Sequence, residues 1–193
     1  MKIINGLKRK VVNCFGSLQT SKKESQPSNQ QLDNLPKPIN KFKFSNNSLK
    51  NLEGVDKEIA ELAKLAISYS EVDFGVSEGL RSLERQKKLL DEGKTQTLKS
   101  KHLDGLAVDV FAYVDGKAVW DYRYYFPIVE AFKKAQERLR EEKYPNLEMR
   151  WGGCWKKLRF INDPERDVNQ YKQFKKKKGE KPFIDAPHFE KVK

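Results

Sequence analysis

An aspartate stands inside an apolar run. After Gly105 the chain reads Leu106, Ala107, Val108, Asp109, Val110, Phe111. A short run of this kind, opened by a glycine, suits a strand buried on both faces. A carboxylate in that position is costly unless it is paired or bound to a metal. His102 lies seven residues earlier, too far to share adjacent helical turns with Asp109, so Ser100–Asp109 reads as a turn followed by a strand. The chain has only two histidines. The second, His188, sits in Asp185-Ala186-Pro187-His188-Phe189-Glu190. Taken singly, a histidine is more often a satisfied structural residue, and a buried aspartate is often held by backbone donors. Taken together, two neutral imidazoles and one carboxylate make a common catalytic zinc set, with the fourth position open to water.

The chain around these residues has 193 positions, which fits one domain plus a tail. Hydrophobic residues make up 37%, enough for one core when 11 Phe, 7 Tyr and 3 Trp are among the aromatic residues. The net charge of +12 calls for an anionic partner: nucleic acid, a membrane surface or the bacterial envelope. Charge alone does not choose among them. Residues 1–41 hold eight Lys/Arg against two Asp/Glu, half of that net charge. Within them, Ile3, Ile4, Leu7, Val11, Val12, Phe15 and Leu18 fall near helical spacing around Lys8-Arg9-Lys10. This stretch is either a basic amphipathic helix on a membrane surface or a frayed tail. Asn5 and Gly6 weaken the helix and favour the tail. Residues 20–41, rich in Ser, Gln, Asn, Pro and Lys, read as a flexible linker. The expected division is therefore a basic tail and linker over 1–41 and a folded domain over 42–193. No apolar run approaches the ~20 residues of a membrane span. Lys8-Arg9-Lys10 interrupts the one stretch that resembles a signal peptide. Cys14 and Cys154 do not make a disulfide framework.

Ser45–Leu52 reads as a loop or short turn. Val55, Ile59, Leu62, Leu65, Ala66 and Tyr69 mark an amphipathic helix. Asp73–Glu78 reads as a strand, Leu83–Glu92 as a helix closed by Gly93, and Leu106–Tyr113 as the central strand. Asp115-Gly116 signals a hairpin, and Pro127 suits the first turn of a third helix whose stripe is Ile128, Phe132, Ala135 and Leu139. Leu147–Trp151 and Pro187–Val192 complete the strands. Residues 156–182 carry ten Lys/Arg against four Asp/Glu with weak periodicity. The run Lys175–Lys178 reads as a solvated loop, or as a contact for anionic wall polymers or phosphate.

The pattern Ser100-x-His102-x-x-Gly105-x-Ala107-x-Asp109, followed by Asp185-x-Pro187-His188-Phe189-Glu190, resembles the zinc D,D-peptidase and endolysin family. That family includes D-alanyl-D-alanine carboxypeptidases and phage L-alanyl-D-glutamate endopeptidases. The resemblance runs from about Phe44 to Glu190. It implies an α+β fold shared with lysostaphin-type peptidases and the hedgehog domain: a small, mainly antiparallel sheet with flanking helices. It implies one zinc ion held by His102, Asp109 and His188, with Asp185 as general base, a position where Asp leans toward the endopeptidase branch. Arg81 takes the family's oxyanion-stabilising place; without the family, a surface salt bridge is the simpler reading. Ser100 orients its loop or contacts substrate, and Trp151 is a further substrate contact. Asp104 belongs to turn chemistry. Glu190 is either an acceptor behind His188 or an exposed strand residue. Many endopeptidases of the family carry Trp-Gly-Gly-Asp-Trp where this chain has Trp151-Gly152-Gly153-Cys154-Trp155, and the 29 residues between Trp155 and Asp185 exceed the usual short link.

The implied activity is hydrolysis of a peptide bond in the peptidoglycan stem, with the L-alanyl-D-glutamate bond first and the D-alanyl-D-alanine bond second. The implied setting is a monomeric phage-type endolysin, made in the host cytoplasm and acting at the cell wall, with no nucleic-acid partner. The rival is a non-catalytic basic module that binds wall or nucleic acid.

Overall fold

The strand around Asp109 is the axis of the sheet. The computed structural model of the chain describes residues 35–192. The basic stretch Met1–Leu18 and most of the linker lie outside the described residues. Strand β1 (Asp73–Glu78) pairs with one edge of β2 (Ala107–Val114). The other edge of β2 is shared by β3 (Lys117–Val119), against its second half, and β6 (His188–Lys191), against its first. β6 continues the sheet to β4 (Met149–Trp151), and β4 to β5 (Lys156–Lys157). Every pairing is antiparallel. The Asp115-Gly116 turn has positive φ at both residues, which matches the twist of a tight hairpin between β2 and β3.

One face of this sheet is covered by two helices, α2 (Lys57–Tyr69) and α4 (Tyr125–Glu142). Ile59, Leu62 and Ala66 meet Ile128, Phe132 and Ala135 there, over Val108, Val110 and Phe189. Phe132 stacks on Phe189 with ring centroids 4.1 Å apart. From Val108 onward β2 alternates: Val108, Val110 and Ala112 are buried, whereas Asp109 and Phe111 are half-buried and Tyr113 is exposed. The strand is thus covered by helices on one face only. Its apolar run continues on the other face because Phe111 packs against Tyr113 and Trp120. That alternation leaves Asp109 on the face away from the helices.

Two segments differ from the sequence reading. Ser45–Leu52 contains a short helix, α1 (Asn46–Asn51), because the Ser45 hydroxyl accepts from Ser48 N–H and caps it. The basic stretch contains α5 (Pro164–Lys177) rather than a solvated loop. Asp163 caps it, Pro164 opens it, and Lys175–Lys177 fall in its last turn, where cations suit the helix dipole. Its anchoring face is narrow, with Pro164, Asp167 and Val168 buried and Asp167 paired to Lys156. α3 (Leu83–Asp91) is as expected, capped by Ser82. Before α1, Ile39 and Asn40 donate to the Ser68 carbonyl and tie the start of the described chain to the end of α2. No helix among the described residues is long and apolar enough to cross a membrane.

Candidate active site

His102 sits in a 3₁₀ turn, Lys101–Asp104. Ser100 caps the turn by accepting from His102 N–H, and Gly105 ends it in the left-handed conformation at φ 66°. The His102 Nδ1–H donates to the Gly79 carbonyl at 2.7 Å. Gly79 itself is pressed against the end of α1 and the segment after it: a Cβ there would lie 2.2 Å from the Asn51 carbonyl oxygen and 2.5 Å from a Val55 methyl. With Nδ1 engaged, Nε2 turns toward Asp109 Oδ1, 3.1 Å away. His188 opens β6 directly opposite Asp109 in the β2–β6 register. Its Nδ1 lies 2.9 Å from Asp109 Oδ1 and 3.1 Å from His102 Nε2, while Nε2–H donates to Glu190 Oε2 at 3.1 Å. Both imidazoles are thus oriented through the nitrogen that faces away from the cluster. The three inward atoms lie within 4.8 Å of one another, the one such group of metal-binding type among the described residues.

The charges around this cluster are mutually adjusted. Burial pushes Asp109 up, but hydrogen bonds from His102 and His188 more than reverse it and hold the carboxyl far below its usual range. Burial works against charge on His188, yet hydrogen bonds to Asp109 and Glu190 carry its ring up to about 10. A metal requires the neutral ring, so cation and proton compete for this nitrogen. Arg81 Nη2 donates to Asp109 Oδ2 at 3.1 Å and to Glu78 Oε2 at 2.5 Å, and Nη1 donates to Gln86 Oε1 at 2.8 Å. Gln86 in turn donates to the Thr97 carbonyl, which fastens the loop before His102 to α3.

Asp185 reaches the cluster through its backbone. Its N–H donates to the Gly152 carbonyl at 3.0 Å, and its own carbonyl accepts from His188 N–H at 3.1 Å. Gly152 N–H donates to the His188 carbonyl at 2.8 Å. A Cβ on Gly152 would stand 2.5 Å from the Asp185 carbonyl oxygen and 3.1 Å from His188 Cβ, so the two segments touch only because this residue is glycine. The Asp185 carboxyl is raised above its ordinary range, first by burial and then by the nearby Asp109. Asp185, His102, Asp109 and His188 all line one open groove of about 1180 Å³.

Residues 40–192 match the family described as phage L-alanyl-D-glutamate peptidase. The chain belongs to this family. It is 30% identical over 118 residues to the L-alanyl-D-glutamate peptidase of Escherichia phage T5, covering 59% of this chain and 82% of the phage protein. The crystal structure of the Serratia marcescens L-Ala D-Glu endopeptidase ChiX superposes with a TM-score of 0.58 at 33% identity, covering 80% of this chain and 92% of that one. The α+β class expected from the sequence agrees with that likeness.

In this phage-type peptidase the expected residues do not all face the groove. Ser100 lines it and caps the His102 turn. Asp104 is exposed in that turn and lies outside the metal-type cluster. Trp151 is fully buried, and its indole N–H donates to the Ala186 carbonyl at 2.7 Å, so it supports the Asp185–His188 segment from the core side and does not reach substrate. Trp120, Trp155, Tyr171 and Phe183 line the groove instead, and of these the Trp155 ring stands 5.9 Å from that of His188 and stacks on Phe183. Cys154, the residue that departs from the expected Trp-Gly-Gly-Asp-Trp pattern, is buried. Three contributors carried no signal read from the sequence. They are Gln86, a polar residue on the buried side of α3, Glu78 at the end of β1, and Arg150, whose guanidinium grips Glu190.

Proposed function

We propose that this peptidase is a zinc enzyme that hydrolyses the L-alanyl-D-glutamate bond in the stem of bacterial peptidoglycan, as a phage endolysin does. The observation that carries the proposal is the convergence of His102 Nε2, Asp109 Oδ1 and His188 Nδ1 in one open groove. Two imidazoles and a carboxylate, each imidazole held through its other nitrogen, suit zinc and leave a coordination position free. Held by these three residues, zinc supplies Lewis acidity that polarises a carbonyl and lowers the pKa of water.

The chain's own residues do the rest. Asp185 takes the proton from the attacking water and returns it to the departing D-glutamyl nitrogen. A carboxyl raised by burial suits a group that accepts a proton and then gives it up. Arg81 holds Asp109 by Oδ2, which keeps Oδ1 turned toward the imidazoles. Its positive charge at the groove wall also offsets negative charge building on the scissile carbonyl oxygen. Ser100 sets the His102 turn, and Trp155 walls the substrate path. The protein works as a monomer at the cell wall. Its net charge of +12 serves anionic wall polymers or a membrane surface, through the basic N-terminal stretch, rather than nucleic acid.

The test is digestion of purified peptidoglycan by the zinc-loaded full chain, with mass analysis of the fragments. The expected product has a new amino terminus on D-glutamate and leaves L-alanine on the muramyl group. Release of D-alanine alone would make the protein a carboxypeptidase. A salt-sensitive band shift with no fragments would make it a binding module.

A further inference from the structure

The groove wall carries more positive charge than its carboxylates neutralise. Arg81, Arg85, Lys94, Arg150 and Lys175 line it, and each has a carboxylate partner: Glu78 for the two first, then Glu92, Glu190 and Glu180. Lys99, Lys101 and Lys181 line it too, and no ion pair joins any of them to an acid among the described residues. Lys99 and Lys181 are exposed, where water and salt screen their charge. Lys101 is half-buried and immediately precedes His102. It belongs to the 3₁₀ turn that Ser100 caps and Gly105 closes, and its carbonyl accepts from Leu106 N–H at 2.8 Å. A half-buried lysine without an ion-pair partner thus lines the groove on the same capped turn as a metal-type ligand.

We infer that Lys101 receives a carboxylate of the substrate, namely the α-carboxylate of the D-glutamyl residue on the leaving side of the scissile bond. The inference rests on the endopeptidase reading above. In the stem, D-glutamate continues the chain through its side-chain carboxyl, so its α-carboxylate stays free on the carbon that bears the scissile nitrogen. A residue beside the cluster that holds the reacting carbonyl is therefore well placed to meet it. Amidation of this carboxylate gives D-isoglutamine, with the same shape and no charge. Lys101 would make the enzyme discriminate between walls that differ by that single modification. The same ammonium chemistry suits the carboxylate of the diamino acid further along the stem, and the experiment separates the two sources.

Three synthetic muramyl stem peptides are compared: one with D-glutamate, one with D-isoglutamine, and one with D-glutamate and an amidated diamino acid. Each is cleaved by the zinc-loaded full chain as wild type, Lys101→Met and Lys101→Arg. Wild type is expected to lose about tenfold to a hundredfold in kcat/KM from D-glutamate to D-isoglutamine, mostly in KM, as for one charge-assisted hydrogen bond. Lys101→Met should bring the ratio close to one, and Lys101→Arg should keep most of it. Amidation of the diamino acid should leave wild-type cleavage unchanged. The inference is overturned if wild type treats D-glutamate and D-isoglutamine alike. It is equally overturned if Lys101→Met slows both to the same degree, or if only the diamino acid amidation matters. If wild type cleaves none of the three, the endopeptidase reading itself fails and takes this inference with it.

Discussion

Replacing Glu190 by alanine tests whether His188 must be held from behind to bind metal. One Glu190 oxygen accepts from His188 Nε2–H at 3.1 Å, and the other takes the Arg150 guanidinium. Glu190 is only 5% exposed, so alanine leaves a buried ring N–H with no partner and little access to water. A buried donor stripped of its partner costs about 1–3 kcal/mol. Outer partners of metal-binding histidines are typically worth about 10–100-fold in metal affinity, which is about 1.4–2.8 kcal/mol. The two estimates cover the same range. Zinc affinity is read by competition with a chromophoric chelator, and stability by calorimetry with and without zinc. At a zinc concentration well above both dissociation constants, the stabilisation by zinc falls by RT times the logarithm of the affinity ratio. The rise in Tm on adding zinc should then be smaller by about 3–11 °C for a domain of this size. The rise is the quantity to compare, because Arg150 loses its partner with or without zinc. Glu190→Gln keeps an oxygen acceptor and should recover most of the affinity. Unchanged zinc affinity in Glu190→Ala would refute the reasoning and make the contact with His188 incidental.

Three further outcomes are expected. Asp185→Asn should lower turnover by about 10²–10⁴-fold at unchanged zinc content, and wild-type turnover would move the base elsewhere. Because burial and Asp109 raise the Asp185 carboxyl, its active deprotonated form is lost on acidification before an ordinary aspartate near about 3.9 would titrate, and Asp185→Asn should lack that acid limb in its pH–rate profile. Gly152→Ala drives a methyl group against the Asp185 carbonyl at 2.5 Å. The cost should be about 1–3 kcal/mol, read as a Tm drop of about 2–12 °C, together with weaker zinc binding; an unaltered Tm and affinity would show that the segment yields freely. Deleting residues 1–34 should leave Tm and cleavage of a soluble stem peptide intact, because the contacts of Ile39 and Asn40 with Ser68 begin after the cut. Unfolding of the truncated chain would refute this.

The elements that could be read along the chain are those whose cause is local. Helix α2 follows from apolar residues three and four apart and from Asp56, whose side chain accepts from Glu58 and Ile59 N–H. The turn after His102 follows from Ser100 and Gly105. Helix α5 had a local signal as well, in Asp163-Pro164, but its lysines hid it: of its buried residues Pro164, Asp167 and Val168, only Val168 reads as an ordinary apolar stripe residue.

The combination of the chain's two histidines with a carboxylate in an apolar run, together with the family resemblance of the motifs that hold them, singled out His102, Asp109 and His188. What those residues meet is decided by pairings far apart in the chain. Asp109 and His188 are 79 positions apart, and the β2–β6 register brings them opposite one another. The same pairing settles Glu190: two residues after His188 on β6, it shares that residue's face, and β4 sets Arg150 beside it. Trp151 and Trp155 belong to one motif and have the same side chain. The pairing of Trp151 with Phe189 carries the first into the core, whereas a left-handed backbone at Trp155, φ 57°, turns the chain so that the second stands near His188. Sequence patterns act over a turn of helix or a few strand residues, and the side of a wall on which a tryptophan ends is a property of the assembled sheet.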